Sequence, residues 1–219
     1  MMADAGLDTR KDGTIWALNL DEPAPVIKPR LPASFGRVQP EAVAALFRGR
    51  DSRSSSEMLR RLENGKRCYV AKVEGRLAAY GWVSFEEEMV GELSLRLRLL
   101  PGEAYVWDCA TLPEYRRNGL YSALLVHINR ELHKEGLCRA WIGANQDNLP
   151  SRLGIARAGY HHVANLSVAR MLAVRLVWVE GVAGMPEDIV AEARRVFLGN
   201  RDNVWRESVA MAAESLIHS

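Results

Sequence analysis

The spacing of hydrophobic and polar positions changes period several times along the chain, and each change marks an element. Val43, Leu46 and Phe47 fall at i, i+3 and i+4, the stripe of an amphipathic helix. A second short helix is predicted from Ser54, whose spacing to Glu57 is that of a capping box, to the stop at Asn64-Gly65. The charged, glycine-containing residues 48–53 between them read as a connector. From Cys68 the period drops to two. Residues 68–73 and 76–85 are rich in β-branched and aromatic side chains and flank Glu74-Gly75, a two-residue hairpin turn. Leu93, Leu95, Leu97 and Leu99 alternate with Ser94, Arg96 and Arg98, and Pro101-Gly102 then turns the chain into a strand over 104–111. A helix follows over 119–134, with Leu120, Leu124, Leu125, Ile128 and Leu132 on one face and Gly136 as its stop. The strand at 139–144 completes a strand, helix, strand succession, which requires a parallel crossover in an otherwise antiparallel sheet. Asn148, Pro150 and Gly159 bracket a short helix, strands resume over 160–180, and residues 186–198 and 204–217 carry two further helical patterns. The fold class is α/β of the α+β type, a mixed, mostly antiparallel sheet flanked by helices.

Composition narrows this picture. A chain of 219 residues, 48% hydrophobic and 26% charged, has globular values and room for one domain with extensions. Four prolines, Pro23, Pro25, Pro29 and Pro32, make residues 14–32 an extended arm that wraps the surface. A formal charge of +2 supplies no global cationic field, so nucleic acid is not expected as a partner. Cys68, Cys109 and Cys138 are odd in number, widely spaced and set in apolar stretches. They read as buried, reduced strand residues, and no metal site is expected. The apolar stretch 172–185 is interrupted by Arg175 and Glu180 and is too short for a bilayer, and residues 1–13 lack the apolar core of a signal peptide. A cytoplasmic protein with no membrane partner is expected; a homodimer is compatible with all of this.

Candidate chemistry concentrates at one junction. The strand at 105–111 runs through Leu112, Pro113, Glu114, Tyr115, Arg116, Arg117, Asn118 and Gly119 into the helix that begins Leu120-Tyr121-Ser122. A tight basic turn feeding a helix start presents unpaired N–H groups and the positive end of the helix dipole, an anion cradle. An ordinary loop with two solvated arginines is the competing reading.

Pro113, Tyr115, Arg116, Gly119 and Tyr121 at this junction, followed by Asn148 and Gly159-Tyr160 around a later short helix, resemble the two motifs of the GNAT superfamily of acyl-CoA-dependent N-acetyltransferases. The order of elements over 38–172 agrees. The resemblance implies a GNAT-like core there, with residues 1–37 as an arm and 173–219 as a terminal strand and helical extension. It implies acetyl-CoA as co-substrate, its pantetheine along Cys109, Ala110, Thr111 and Leu112. Its pyrophosphate would lie on the amides of Arg117, Asn118, Gly119, Leu120, Tyr121 and Ser122, beside Arg116. Asn148 would face the pantetheine or phosphates, with Ser151 a lesser candidate. Two positions depart from the family. Tyr121 stands where glycine or alanine is usual, so its side chain points away from the cofactor or reshapes the pocket. Ile155 stands where many members carry the tyrosine that protonates the leaving thiolate, a task left to Tyr160, Tyr121 or solvent.

Transfer to an amine needs the neutral nucleophile, hence a base or a water chain. Asp108, a polar residue inside an apolar strand, is the first candidate base; a structural aspartate satisfied by backbone donors or an arginine is the alternative. Asn145, ending the strand after the signature helix, is a candidate for aligning thioester or acceptor, while Trp141 reads as core. Glu86, Glu87 and Glu88 are either an attractant for a cationic acceptor or a solvated loop, and His161 and His162 either proton shuttles or exposed strand-start residues. The acceptor would be bound by residues 48–53, 86–92 or those after Asn145. The expected activity is acetylation of a primary amine, that of a small molecule, by direct attack. Acetylation of a protein, and non-catalytic acyl-CoA binding, are the alternatives.

Overall fold

The first described element is a strand where the sequence pattern predicts an arm. The computed structural model describes residues 9–47, 55–90, 95–171 and 174–199, which fall into two units. The larger, residues 13–86 and 99–162, contains most of β1 (Thr9–Asn19), then β2 (Ser34–Arg37), α1 (Pro40–Phe47), α2 (Ser55–Glu63), β3 (Arg67–Val73) and β4 (Arg76–Ser84). The smaller contains β5 (Glu87–Val90) and β6 (Leu95–Arg98). The larger unit resumes with β7 (Glu103–Thr111), a 3-10 turn (Pro113–Tyr115), α3 (Leu120–Lys134), β8 (Arg139–Asn145) and α4 (Leu149–Arg157). From Val163 onward, β9 (His161–Met171), β10 (Val174–Gly181) and α5 (Glu187–Leu198) belong to the smaller unit.

In the larger unit the strands run in the order β1-β8-β7-β4-β3-β2, antiparallel throughout except for the parallel β7–β8 pair. The predicted crossover is therefore present. β1 corrects the predicted arm: residues 13–19 pair with 139–145 of β8, and Ile15, Trp16, Ala17 and Leu18 are buried. An apolar run buried on both faces lacks the alternation that marks a half-exposed strand, and all four prolines lie beyond it. The arm proper is residues 20–33.

Alternation divides β3 between two cores. Cys68 and Val70 join Val43, Met58 and Trp82 under α1 and α2, whereas Tyr69, Ala71 and Val73 join Leu124, Leu125, Ile128 and Leu132 under α3. The Glu74-Gly75 turn has φ of 50° and 76°, the left-handed pair that a two-residue hairpin requires.

In the smaller unit β9 pairs antiparallel with β10, β5 with β6, and α5 packs on β6 and β10. Glu87 pairs with Arg96 and Arg98 across the β5–β6 hairpin, so this glutamate is part of a charged strand rather than a loop. The connector 48–53, the cap residue Ser54, Leu93 and Ser94, and the second tail helix at 204–217 lie outside the described residues. All three cysteines are free; Cys68 is buried and Cys109 half-buried, but Cys138 is exposed in the turn before β8, which corrects its assignment as a buried strand residue. Among the described residues no helix is long and apolar enough to cross a membrane, and no cluster of His, Cys, Asp and Glu is arranged to hold a metal.

Ile15 is 1% exposed, and Ile15→Ala is expected to lower unfolding free energy by about 2–4 kcal/mol in urea titration. A surface arm would tolerate it at no measurable cost.

Candidate functional site

The site begins where a ladder stops. Parallel pairing between β7 and β8 covers Glu103–Val106 against Arg139–Ile142 and extends no further. Beyond it, residues 107–111 keep their antiparallel partners in β4, and 143–145 keep theirs in β1. Two central strands thus part in the middle of the sheet. Each turns an edge of backbone donors and acceptors toward the notch between them.

A bulge lies on the same stretch. Trp107 pairs with Trp82 and Ala110 with Tyr80, so Asp108 and Cys109 together face Gly81. Asp108 carries a φ of 45°, and a Cβ on Gly81 would come within 2.9 Å of the Cys109 Sγ. The left-handed Asp108 is held by an ion pair: its Oδ2 accepts from Arg61 Nη1 at 2.6 Å. Arg61, on α2, also pairs with Glu57 and stacks over the rings of Trp107 at 4.6 Å and Trp82 at 5.1 Å. The Asp108 carboxylate is thus engaged by an arginine, the contact that the structural reading of this aspartate names.

At the end of β7 the chain forms the predicted turn. Arg117 and Gly119 both adopt left-handed conformations, φ 65° and 74°, and the Asn118 amide donates to the carbonyls of Tyr115 and Arg116. A turn with alternate residues in this region is a backbone arrangement able to gather N–H groups, a candidate anion cradle. α3 starts without a side-chain cap. Its first backbone bond is Ala123 N–H to Gly119 O, which leaves the N–H groups of Leu120, Tyr121 and Ser122 ahead of the ladder. Gly119 is demanded by its φ; a Cβ there would sit 3.8 Å from Pro29 Cα, ordinary contact with the arm.

Side chains of the helix start are committed elsewhere, so it is backbone that faces outward there. Leu120 is core, and Ser122 Oγ donates to Gly154 O at 3.0 Å. The Tyr121 ring lies against α4, where any Cβ on Gly154 would run into it, and its hydroxyl is 3.3 Å from Ser151 Oγ. Tyr121 therefore points away from the amides, the first of the two outcomes its unusual position allowed. Burial keeps its phenol protonated far above the ordinary range. Asn148 caps α4 through Oδ1 to the Ser151 N–H at 3.1 Å.

Cys109 packs on the α3 side, whereas Ala110 and Leu112 pack toward α1 and α2; Thr111 O accepts from Arg116 Nε at 3.3 Å. Tyr160 is buried, with its hydroxyl on Asn129 Oδ1 at 2.7 Å, and desolvation raises its pKa strongly. It is packed into the core. Asn145 is exposed at the end of β8, and Trp141 is fully buried. His161 pairs with Glu22 at 2.9 Å, and His162 stacks on Trp16. Arg61 escaped the sequence reading because nothing local distinguishes it from Arg60; the bulge had a signal in Asp108 within an apolar strand.

A notch offering strand-edge hydrogen bonds, continuous with a turn of free amides, suits an extended amide-bearing chain that ends in a diphosphate. The acetyltransferase (GNAT) family model matches residues 37–164. The chain belongs to the GNAT acetyltransferase family. CoA fits the donor set this GNAT chain presents. Among solved structures it is similar to a GCN5-related N-acetyltransferase from Sphaerobacter thermophilus, with 16% identity and a TM-score of 0.51 over 78% of this chain and 53% of that one. It is also similar to a GNAT-family acetyltransferase from Colwellia psychrerythraea, with 13% identity and a TM-score of 0.50 over 80% and 57%. Both likenesses concern the fold, and the chain spans little more than half the length of either structure. No curated protein matches.

Gly154→Ala is expected to cost about 1–3 kcal/mol by overpacking against Tyr121. In thermal denaturation the loss should shrink when Tyr121→Ala is combined with it; equal losses in both backgrounds would show that the two positions do not meet.

Proposed function

We propose that this GNAT chain acetylates a primary amine, that of a small molecule, by direct attack of the amine on acetyl-CoA. The parting of β7 and β8 beside an uncapped helix start carries this reading. Acetyl-CoA when bound supplies the activated acyl group. The exposed edge of 107–111 holds an extended chain by strand-like bonds, and the amides at 117–122 hold the diphosphate.

Direct attack, without an acyl-enzyme, is supported by the one thiol on the notch strand. Burial pushes the Cys109 thiol far above its ordinary range, and the neighbouring Asp108 carboxylate adds to the shift. A thiol kept protonated is a poor nucleophile. The leaving thiol of CoA needs little help, since an aliphatic thiolate is stable within about two pH units of neutrality. Tyr160, bonded to Asn129 inside the core, is not assigned to it. Asp108 is assigned to holding the bulge, its carboxylate engaged by Arg61, so the proton of the attacking amine passes to solvent.

Titration calorimetry with CoA, followed by a thiol-release screen over polyamines, amino acids, aminoglycosides and peptides, tests the reading. Saturating acetyl-CoA, at about 100 times its Kd, should stabilise the fold by about 2.7 kcal/mol. No binding would end the proposal. Binding without thiol release would leave a CoA-binding module, and release with peptides alone would make the acceptor a protein.

Asp108→Asn is expected to destabilise by about 3 kcal/mol, through the pairing lost to Arg61, and to leave the pH profile of kcat in place. A loss in kcat of about a hundredfold or more would restore Asp108 as the base. That loss would be steepest at low pH, where hydroxide cannot replace it.

A further inference from the structure

The arm, residues 20–33, is fixed to the larger unit along its whole length although it forms no ladder. Glu22 pairs with His161 at 2.9 Å, Arg130 Nη2 donates to Pro25 O at 3.3 Å, and Ile27, Leu31 and Ala33 pack on the core beneath α3. At the signature turn, the Arg30 N–H donates to Asn118 O at 2.9 Å, and Pro29 lies against Gly119. The contact is between the arm's backbone and the two residues that shape the anion cradle.

Its register is strict. Residues 25, 27, 29, 31 and 33 are half-buried, and 26, 28, 30 and 32 are exposed. Prolines that fix φ make such an extended segment rigid before any ligand arrives. The alternation puts Lys28 and Arg30 on the exposed side, one on each flank of Pro29. Neither has a carboxylate partner among the described residues, and the same holds for Arg116 and Arg117. Arg60, Arg61 and Lys134 of this unit are matched with acids, while Arg37, Lys72 and Arg76 share the unmatched state but lie away from the turn in sequence.

We propose that Lys28 and Arg30 belong to the CoA site and bind the 3′-phosphate of its ribose. The inference rests on the CoA reading above and extends it to a segment outside the matched family region, which begins at residue 37. Turn amides are neutral donors fixed in place, suited to the diphosphate. A phosphomonoester dianion at the solvent end of the ligand calls instead for charged side chains. The arm brings two, on a backbone tied to Asn118, so that cations and amides keep a constant spacing.

Calorimetry with CoA and with 3′-dephospho-CoA separates these contributions. The wild type should prefer CoA, and Lys28→Ala/Arg30→Ala should weaken CoA about tenfold while changing 3′-dephospho-CoA less than about twofold. Both side chains are exposed, so the melting temperature of the free protein should be unchanged. Raising the salt concentration should narrow the wild-type preference. A wild type indifferent to the 3′-phosphate, or a variant that retains its preference, would overturn the assignment while CoA binding itself stands. Equal weakening of both ligands would also overturn it and would make the arm a support of the turn. Failure of the wild type to bind either ligand would remove the CoA reading and this inference together.

Discussion

Everything about the site depends on the place where β7 and β8 cease to pair. A parallel ladder in the middle of a sheet ordinarily runs to the ends of its strands, because unpaired N–H and C=O groups cost free energy when they cannot reach water or another donor. Here four residue pairs form and the strands then part. The bulge at Asp108 and Cys109 goes with the parting, since an added residue bends and twists the strand that carries it. A left-handed non-glycine residue costs about 1–2 kcal/mol, so something must hold Asp108 in place. Arg61 does so from α2, itself held between Glu57 and two indoles. α2 and the notch are thus one mechanical unit, although 47 residues separate the two ends of the ion pair.

The opposite face shows how a departure from a family pattern is absorbed. A tyrosine where glycine or alanine is usual would fill the cradle if its ring turned toward the amides. It turns instead onto α4, and Gly154, the residue beneath it, has no side chain to oppose it. Ser122 Oγ bonds the carbonyl of the same glycine. The first turn of α3 is therefore locked to α4 by two side chains, and its amides face outward undisturbed.

Which parts were legible follows from whether the signal was local. The Glu74-Gly75 turn, α3 with its five-residue apolar stripe, and the Asn148 cap all rest on interactions within a few residues, and each stands where the pattern placed it. β1 did not, because its burial on two faces erases the period of two, and its place beside β8 depends on a partner 120 or more residues away. Prolines 23, 25, 29 and 32 correctly marked an extended segment, but they drew β1 into it. In the candidate site, the strand-to-helix junction with its left-handed Gly119 and uncapped helix start was readable. The partners of Asp108 and Tyr160 were not, since Arg61 and Asn129 are their neighbours in space and not in sequence.

The charge balance gains meaning at this scale. A net +2 spread evenly would attract nothing in particular. Some of the acids on α2, α3 and β5 meet arginines and lysines at close range. Arg116 and Arg117 on the turn and Lys28 and Arg30 on the arm remain unmatched among the described residues. Because exposed charges more than about 8–10 Å apart are screened at physiological salt, only cations held close to the free amides can reinforce them. The hydrogen bond from Arg30 to Asn118 sets that proximity, and so the docking of a proline-stiffened arm becomes an electrostatic property of the cradle as well as a packing one.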